Sequence, residues 1–321
     1  MTLNEKTGMK AYIAVFIAMF FWAYSFIWYK EAYVYYRPIT LLMGRLIVSS
    51  IFLFTVSGLM GKLNKIRKSD IKYFALLAFF EPFLYFIGES FGLTYISSTL
   101  AAVIVSTIPL ISPIGEYYIY KQRISTMNFV GIMVSIIGVG MVIFYKGFGH
   151  VEANIYGILL MILAVFSTVG YSLLLRKLTA NYNVFSIITY QNTIGIFYFL
   201  PLFLLFEYKN FIQVGITLHS ALPVLKLGIF ASTFAFLLFT FSLKHMGVTK
   251  ANSFTNAIPV LTAILSYFIL GEMLTTIKIL GILVVVLGLF LSQAKGYKVK
   301  RVFAFIPVGL ITRARLRKND Q

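Results

Sequence analysis

The chain has no cysteine and carries little charge. The absence of cysteine among its 321 residues excludes disulfide bonds, thiolate catalysis and cysteine-ligated metal sites. Only 12% of the residues are Asp, Glu, Lys or Arg, against about 25% in an ordinary soluble domain, whereas 60% are hydrophobic. The three histidines, His150, His219 and His245, fall at the ends of predicted apolar segments and do not cluster. We therefore expect neither a metal site nor a cofactor.

Long apolar runs take the place of the missing charge. Residues 76–95 and 279–291 show no amphipathic stripe, and a helix that is apolar all round faces lipid or a large core. A bilayer-spanning helix needs about 20 such residues. We predict an all-α membrane protein with ten transmembrane helices and no signal peptide, because no small-residue cleavage site follows the first run. The predicted spans are residues 10–29, 38–60, 71–95, 98–120, 128–145, 154–176, 184–206, 222–243, 249–270 and 276–293.

The basic residues are distributed unequally between the two sides of these spans. The net charge is +18, and 21 of the 28 basic residues fall on the side of both termini, five on the other side and two, Arg45 and Lys226, within spans. The positive-inside rule then places both termini in the cytoplasm of a bacterial cell, with the chain in the inner membrane. Because the charge follows topology, we expect no nucleic-acid partner. The basic segment 296–321 is predicted to lie on anionic lipid or to form a loosely ordered tail.

The second half of the chain repeats the first. A shift of 150 residues places residues 91–93 on 241–243 and Pro109 on Pro259. The same shift matches Thr99 with Thr249, Ala101 with Ala251, Gly131 with Gly281 and Gly138 with Gly288. Each half holds five predicted spans, an odd number, so the second copy enters the membrane from the opposite side. We predict two inverted five-helix repeats, 1–150 and 151–295, with a ligand site near the midplane between them, which is the layout of a transporter.

Glu81 is the leading candidate for function. An ionisable side chain at the centre of a span costs roughly 2.5–3.5 kcal/mol, and such residues are functional candidates by default. Glu81 lies near the middle of the third predicted span, and Pro82 after it removes a backbone donor and favours a kink. Three roles are open: a proton carrier, a partner for the amine of a substrate, or a protonated side chain bonded to a neighbouring helix.

Arg45 and Glu89 are predicted to lie at one depth. Both fall ~9–10 Å below the same membrane boundary, at 1.5 Å per residue. We predict a direct Arg45–Glu89 pair, which either ties two helices together, contacts the substrate, or does both. Tyr85 shares the face of Glu81 and Glu89. Arg45 is assigned to a substrate carboxylate, and Tyr85 or Trp22 to the substrate's side chain.

Polar and small residues complete the predicted cavity and its packing. Gln191 in the seventh span is the counterpart of the Arg45 region, and Asn256 lies in the ninth. Pro109 and Pro259 either border the cavity or bend two helices for packing. Glu116, near the cytoplasmic end of the fourth span, is interpreted as a solvated residue paired with nearby bases. The repeated glycines of the fifth and tenth spans predict close packing between them.

The order of these motifs resembles the drug/metabolite transporter superfamily, specifically its EamA-type branch, over residues 10–293. The residues that carry the resemblance include Leu243, Thr249, Ala251, Pro259, Leu270, Gly271, Glu272, Gly281 and Gly288. The chain departs from the family at residues 121–123, where Lys-Gln-Arg replaces the usual Gly-Glu pair. The resemblance implies an inner-membrane carrier, commonly an exporter of amino acids or related metabolites, that works by alternating access. Glu81 and Glu89 are not part of the general family pattern.

We therefore expect a secondary transporter that exports a small polar metabolite, with proton coupling through Glu81. No Walker motif supports ATP-driven transport, and no His-Glu-x-x-His or Gly-x-Ser-x-Gly motif supports an enzyme. The alternatives are an uncoupled facilitator or channel for small metabolites or organic cations, and a receptor or scaffold. The expected partners are a small-molecule substrate, membrane lipid and protons, and the expected assembly is a monomer or homodimer.

Overall fold

A computed structural model describes residues 3–120, 126–145 and 154–293, and this part of the chain is helical, without strands. The predicted basic tail, 296–321, and the departure from the family pattern at 121–123 lie outside the described residues, as does the side chain of Glu116. The first five helical units are α1 (Leu3–Ala32), α2 (Pro38–Leu59), α3 (Lys68–Tyr95), α4 (Ser98–Val105 and Ile108–Tyr120) and α5 (Thr126–Ile143). The next five are α6 (Ile155–Thr179), α7 (Val184–Val214), α8 (Leu218–Met246), α9 (residues 248–270) and α10 (Thr276–Gln293).

Seven of the described helical units are long and apolar enough to cross a membrane, namely α1 to α4 and α6 to α8. The other three contain shorter apolar helices, Phe129–Ile143, Phe254–Leu270 and Thr276–Leu291. The described part of the chain is thus all-helical, and its helices have the length and apolar composition predicted for a membrane protein. That α5, α9 and α10 also cross the membrane stays a prediction.

Helix α3 is interrupted at the predicted midspan glutamate. A π-helical segment, Phe79–Leu84, contains Glu81 with extended backbone angles, φ −146° and ψ 116°. The kink predicted at Pro82 is therefore confirmed, since proline cannot donate to the preceding turn. The Phe80 carbonyl accepts a hydrogen bond of 2.5 Å from the Ser167 hydroxyl of α6. A neighbouring helix thus satisfies backbone that lipid could not.

Three further helices are interrupted at related positions. Helix α8 contains the π-helical segment Leu227–Phe234. A shift of 150 residues places the interruption of α3 on this segment, with the ends matching to within two residues. Helix α4 breaks between Val105 and Ile108, and α9 contains a 3-10 turn, Phe254–Asn256. Each of these last two breaks ends shortly before one of the matched prolines, Pro109 and Pro259. Broken helices in membranes are found where they line a cavity or are buried in protein.

Helices α5 and α10 pack at backbone distance. A Cβ atom built on Gly138 would lie 2.7 Å from the Gly281 carbonyl oxygen, and one on Gly288 would lie 2.7 Å from the Gly131 carbonyl oxygen. No side chain larger than hydrogen fits there without moving a helix. The close packing predicted from the repeated glycines is confirmed.

Candidate substrate-binding site

A buried cavity lies among α1, α2, α3, α4, α6, α8 and α9. Five of the residues predicted for the site line it: Trp22, Arg45, Glu81, Tyr85 and Glu89. The wall also includes Thr168, Tyr171, Phe236, Phe239, Asn252 and Thr255, which supply hydroxyl, amide and ring surfaces. The cavity volume is about 30 Å³, enough for about one or two water molecules. This space is too small for a metabolite.

Gln191 and Asn256 do not line this cavity, contrary to the prediction. Gln191, on α7, lies beside Tyr171, and Tyr171 forms the wall instead. Asn256 ends the 3-10 turn of α9, and this tighter turn presents Thr255 to the cavity. Both side chains are nevertheless buried. Asn256 is thus one residue away from a cavity-lining position, whereas α7, which carries Gln191, contributes no residue to the wall.

Arg45 is held by its own neighbours. Only 2% of its surface is exposed, its Nε donates to the Ser232 hydroxyl at 2.7 Å, and its Nη1 group donates to the Tyr29 hydroxyl. The guanidinium carbon also lies 4.1 Å from the centroid of the Phe86 ring. These contacts use two donors and one face of the guanidinium, so Arg45 is fixed between α1, α3 and α8.

The direct Arg45–Glu89 pair was a wrong prediction. Within the described residues the two side chains form no ion pair, because tyrosine hydroxyls are their nearer partners. The Tyr85 hydroxyl donates to Glu89 Oε1 at 2.8 Å, and Tyr29, the partner of Arg45, also lies beside Glu89. Arg45 and Glu89 therefore belong to one hydrogen-bonded cluster that joins α1, α2 and α3 through a tyrosine.

Glu81 is different, because its carboxylate has no hydrogen-bond or ion-pair partner in the described part of the chain. It is 4% exposed, lines the cavity and lies near both Arg45 and Glu89. A buried polar group without a partner is rare in folded proteins and calls for a ligand, a water or a strain-related role. Within the described residues, Glu81 is therefore an unsatisfied acceptor at the cavity wall, as is the Asn252 side-chain oxygen.

A second set of unsatisfied polar groups adjoins Glu81. The hydroxyls of Tyr171 and Thr240 and both polar atoms of the Gln191 amide are buried without a partner among the described residues. Tyr171 lies next to Gln191 and Thr240, and it is close enough to Glu81 for the two side chains to interact electrostatically. These groups come from α6, α7 and α8. The second half of the chain thus offers donors and acceptors where the first half offers a carboxylate.

Aromatic rings enclose the same space. The Trp22 ring centroid lies 5.2 Å from that of Phe236 and 5.0 Å from that of Phe239, and Tyr171 lies 6.2 Å from Phe236. The faces of such rings attract cations, and carboxylates add to that attraction. Tyr171, Phe236 and Phe239 could not be predicted for the site, because 17% of the chain is aromatic and the spacing of rings does not distinguish a cavity from a core.

The sequence pattern of the EamA-like transporter family matches residues 9–144 and again residues 155–293, so the chain belongs to this family. An uncharacterized transporter of Archaeoglobus fulgidus is 27% identical over 290 residues, which cover 89% of this chain and 100% of that protein. The uncharacterized transporter YetK of Bacillus subtilis is 28% identical over 268 residues, covering 80% of this chain and 79% of YetK.

A solved crystal structure shares the fold, with a TM-score of 0.69 and 16% sequence identity over 88% of this chain and 98% of that one. The family resemblance inferred from the sequence is therefore confirmed. Together with the apolar helices, the family membership makes this chain a multi-pass membrane protein and a transporter.

Proposed function

We propose that this chain is a secondary transporter that exports a small metabolite bearing an amine, such as an amino acid or a related compound, across the bacterial inner membrane. Both termini would face the cytoplasm, and protons would be the coupling ion, carried by Glu81. A monomer or a homodimer would serve, because the described cavity is lined within one chain.

The proposed architecture is ten spans in two inverted repeats, 1–150 and 151–295. Two observations support it. The family pattern matches the chain twice, once in each proposed repeat. The interruptions of α3 and α8, and those of α4 and α9, fall at equivalent positions of the two halves. Inverted repeats with broken helices at corresponding places are typical of carriers with a midplane site.

The unpartnered Glu81 carboxylate carries the functional proposal. Arg45 and Glu89 already have side-chain partners in Tyr29, Ser232 and Tyr85, whereas Glu81 has none in the described part of the chain. Apart from Tyr85 and Tyr171, the ionisable groups of the cavity wall are two acids and one base. An ammonium group placed between Glu81 and the faces of Trp22 and Phe236 would meet a carboxylate and π-surfaces at once. An amine or a proton fits this position better than an anion.

The closed cavity supports alternating access over an open pore. About 30 Å³ cannot admit a metabolite, so substrate entry requires the helices around the site to move. Glu81 lies within the interruption of α3, and Phe236 follows the interruption of α8 by two residues; both line the cavity. The irregular, deformable backbone therefore lies beside the site. A channel would instead need a continuous path through the same residues.

The proposal is tested in proteoliposomes that contain a lumenal pH dye, challenged with a panel of amino acids and polyamines. Native protein should produce a pH change with at least one amine, together with movement of that amine. Glu81→Gln should lower both by about tenfold or more, because a hydrogen bond to a charged group contributes about 1.5–3 kcal/mol. Glu31→Gln, a carboxylate change outside the cavity, is the matched control and should transport normally.

Two results would count against the proposal. Amine transport that survives Glu81→Gln unchanged would remove Glu81 from the path. Amine movement without any pH change, but lost in Glu81→Gln, would leave Glu81 as the amine's partner and exclude proton coupling in favour of an uncoupled facilitator.

A further inference from the structure

An apolar groove runs along the outside of the bundle, away from the cavity. It lies among α2, α7 and α8 and has a volume of about 560 Å³. Phe52 and Val56 of α2 face Leu237 and Phe241 of α8 across it, and Phe185 of α7 forms part of its wall. At one end the lining becomes polar and basic, with Lys62, Asn183, Lys244 and His245.

The groove has the length of one lipid leaflet. Its deep end is closed by Phe52 and Phe234, whose rings meet edge to face with centroids 5.7 Å apart. From Phe234 to His245 at the open end, α8 advances eleven residues, or ~16 Å at 1.5 Å per residue. That is about half of the roughly 30 Å hydrocarbon core. An extended acyl chain in one leaflet would therefore fit between the aromatic stop and the basic end.

The basic end is held in a fixed position. The Asn183 side-chain amide donates to the Lys62 carbonyl at 2.6 Å, and the Ser186 hydroxyl donates to the same carbonyl at 3.0 Å. The Lys62 ammonium lies 4.9 Å from the centroid of the Phe185 ring, which belongs to the groove wall. Lys62 and Lys244 are both exposed and border the same opening from opposite walls.

We propose that this groove binds an anionic phospholipid, with one acyl chain in the groove and its phosphate between Lys62 and Lys244. Basic pockets between transmembrane helices on the cytoplasmic side are typical sites for anionic headgroups. An apolar groove with basic residues at its end favours a ligand that has both an anionic headgroup and an acyl chain. The site does not overlap the substrate cavity. Phe236 and Phe239 of α8 line the cavity, whereas Leu237, Leu238 and Phe241 line the groove, so a bound lipid touches the opposite face of that helix.

The test is native mass spectrometry of the full chain in detergent, titrated with dioleoylphosphatidylglycerol and, separately, dioleoylphosphatidylethanolamine. One phosphatidylglycerol should be retained in preference to phosphatidylethanolamine. Lys62→Ala/Lys244→Ala should weaken phosphatidylglycerol binding roughly thirtyfold, the effect of two basic residues near an anionic lipid. The control Lys65→Ala/Lys68→Ala removes two exposed lysines that do not line the groove and should bind normally.

A second variant tests the contribution of the apolar groove separately from that of the two lysines. Leu237→Trp fills the groove while keeping both lysines, and it should also lose the retained lipid. Equal retention of the two lipids by native protein, or equal losses in the two double-lysine variants, would overturn the proposal. Thermal stabilisation by glycerol phosphate equal to that by phosphatidylglycerol would also overturn it, because the headgroup alone would then account for binding.

Discussion

Glu81 and Glu89 are eight residues apart on one helix, yet their surroundings differ in a way that predicts different effects of substitution. Glu89 accepts the Tyr85 hydroxyl and belongs to the Arg45 cluster, whereas Glu81 has no partner among the described residues. Glu81→Gln should therefore change the free energy of unfolding by less than about 1 kcal/mol. Glu89→Ala should cost about 3 kcal/mol, because Arg45 and Tyr85 lose an acidic neighbour. Denaturant unfolding in detergent measures both, and a larger loss for Glu81→Gln would contradict the assignment.

Arg45 is a stabilising residue in this account, and the earlier assignment to a substrate carboxylate is not retained. Arg45→Lys keeps the charge but loses the planar fork that reaches Ser232 and Tyr29 together. We expect a loss of about 1–3 kcal/mol in unfolding free energy, with the preference for amines unchanged. The exposed Arg37→Lys provides the control. A switch in substrate preference, without a loss of stability, would instead assign Arg45 to a substrate carboxylate.

The sequence was informative about which ionisable groups matter, since charge inside an apolar span is visible by inspection. It did not show their partners. Tyr29 and Ser232, which hold Arg45, lie on other helices and look like ordinary polar residues of a span. The direct Arg45–Glu89 pair failed for this reason: equal depth does not determine which side chain is nearest.

At the scale of helices, two carboxylates cap helix starts across the two halves of the chain. Glu207 accepts the backbone N–H groups of Ile39 and Thr40, at 3.2 and 2.6 Å, and the Thr40 hydroxyl at 2.7 Å. Glu272 does the same for Ser98 and Thr99, at 2.9 and 3.2 Å, with the Thr99 hydroxyl at 2.7 Å. Helix α7 and the segment between α9 and α10 are thereby fastened to the first turns of α2 and α4.

The Glu207 cap predicts that removing this carboxylate destabilises the chain more than removing Glu31, a carboxylate on the same proposed side of the membrane. Glu207→Ala should lower the unfolding free energy by about 2–3 kcal/mol, because three buried donors lose a charged acceptor. Glu31→Ala removes only a half-exposed ion pair with Lys226, with a separation of 3.3 Å, and should cost less than about 1 kcal/mol. Thermal unfolding of the two variants compares them directly. Equal shifts would show that the Glu207 contacts contribute little.

The α5–α10 contact gives a second prediction at this scale, with a control in the same helix. Gly138→Ala would place a Cβ atom 2.7 Å from the Gly281 carbonyl oxygen and should destabilise the chain by about 1–3 kcal/mol. Gly140→Ala meets no atom within 4 Å and should be neutral or slightly stabilising, as alanine favours helix. Thermal midpoints decide between them, and a harmless Gly138→Ala would contradict the close packing.

Helix interruptions were predictable only where proline marks them. Pro82 identified the kink of α3, and Pro109 and Pro259 follow the breaks of α4 and α9. The π-helical segment Leu227–Phe234 contains no proline. Side chains of other helices donate to its free carbonyls: the Trp22 indole N–H donates to the Ala231 carbonyl, and the Asn192 amide donates to the Ser232 carbonyl. Such tertiary hydrogen bonds leave no local pattern in the sequence.

At the scale of the whole molecule, the sequence repeat predicts a ligand site near the midplane between the two halves. The two proposed halves meet around the cavity. The interruptions of α3, α4 and α9 border it, and that of α8 ends two residues before Phe236, which lines it. The repeat could not say which residue of each turn faces inward, because that depends on the rotation of every helix about its axis. Thr255 rather than Asn256 faces the cavity for this reason, whereas Gln191 lies one helix away from the wall, behind Tyr171.

Alternating access around this cavity is the central claim, and the natural absence of cysteine makes it directly testable. Thr168 lines the cavity and is 8% exposed, so Thr168→Cys places a single thiol there with a modest change of side chain. The measurement is its labelling by a membrane-impermeant thiol reagent, in intact cells and in inside-out vesicles, with and without a transported amine. The account predicts labelling from both faces, slowed by the amine in each case. Labelling from one face only, under all conditions, would contradict it.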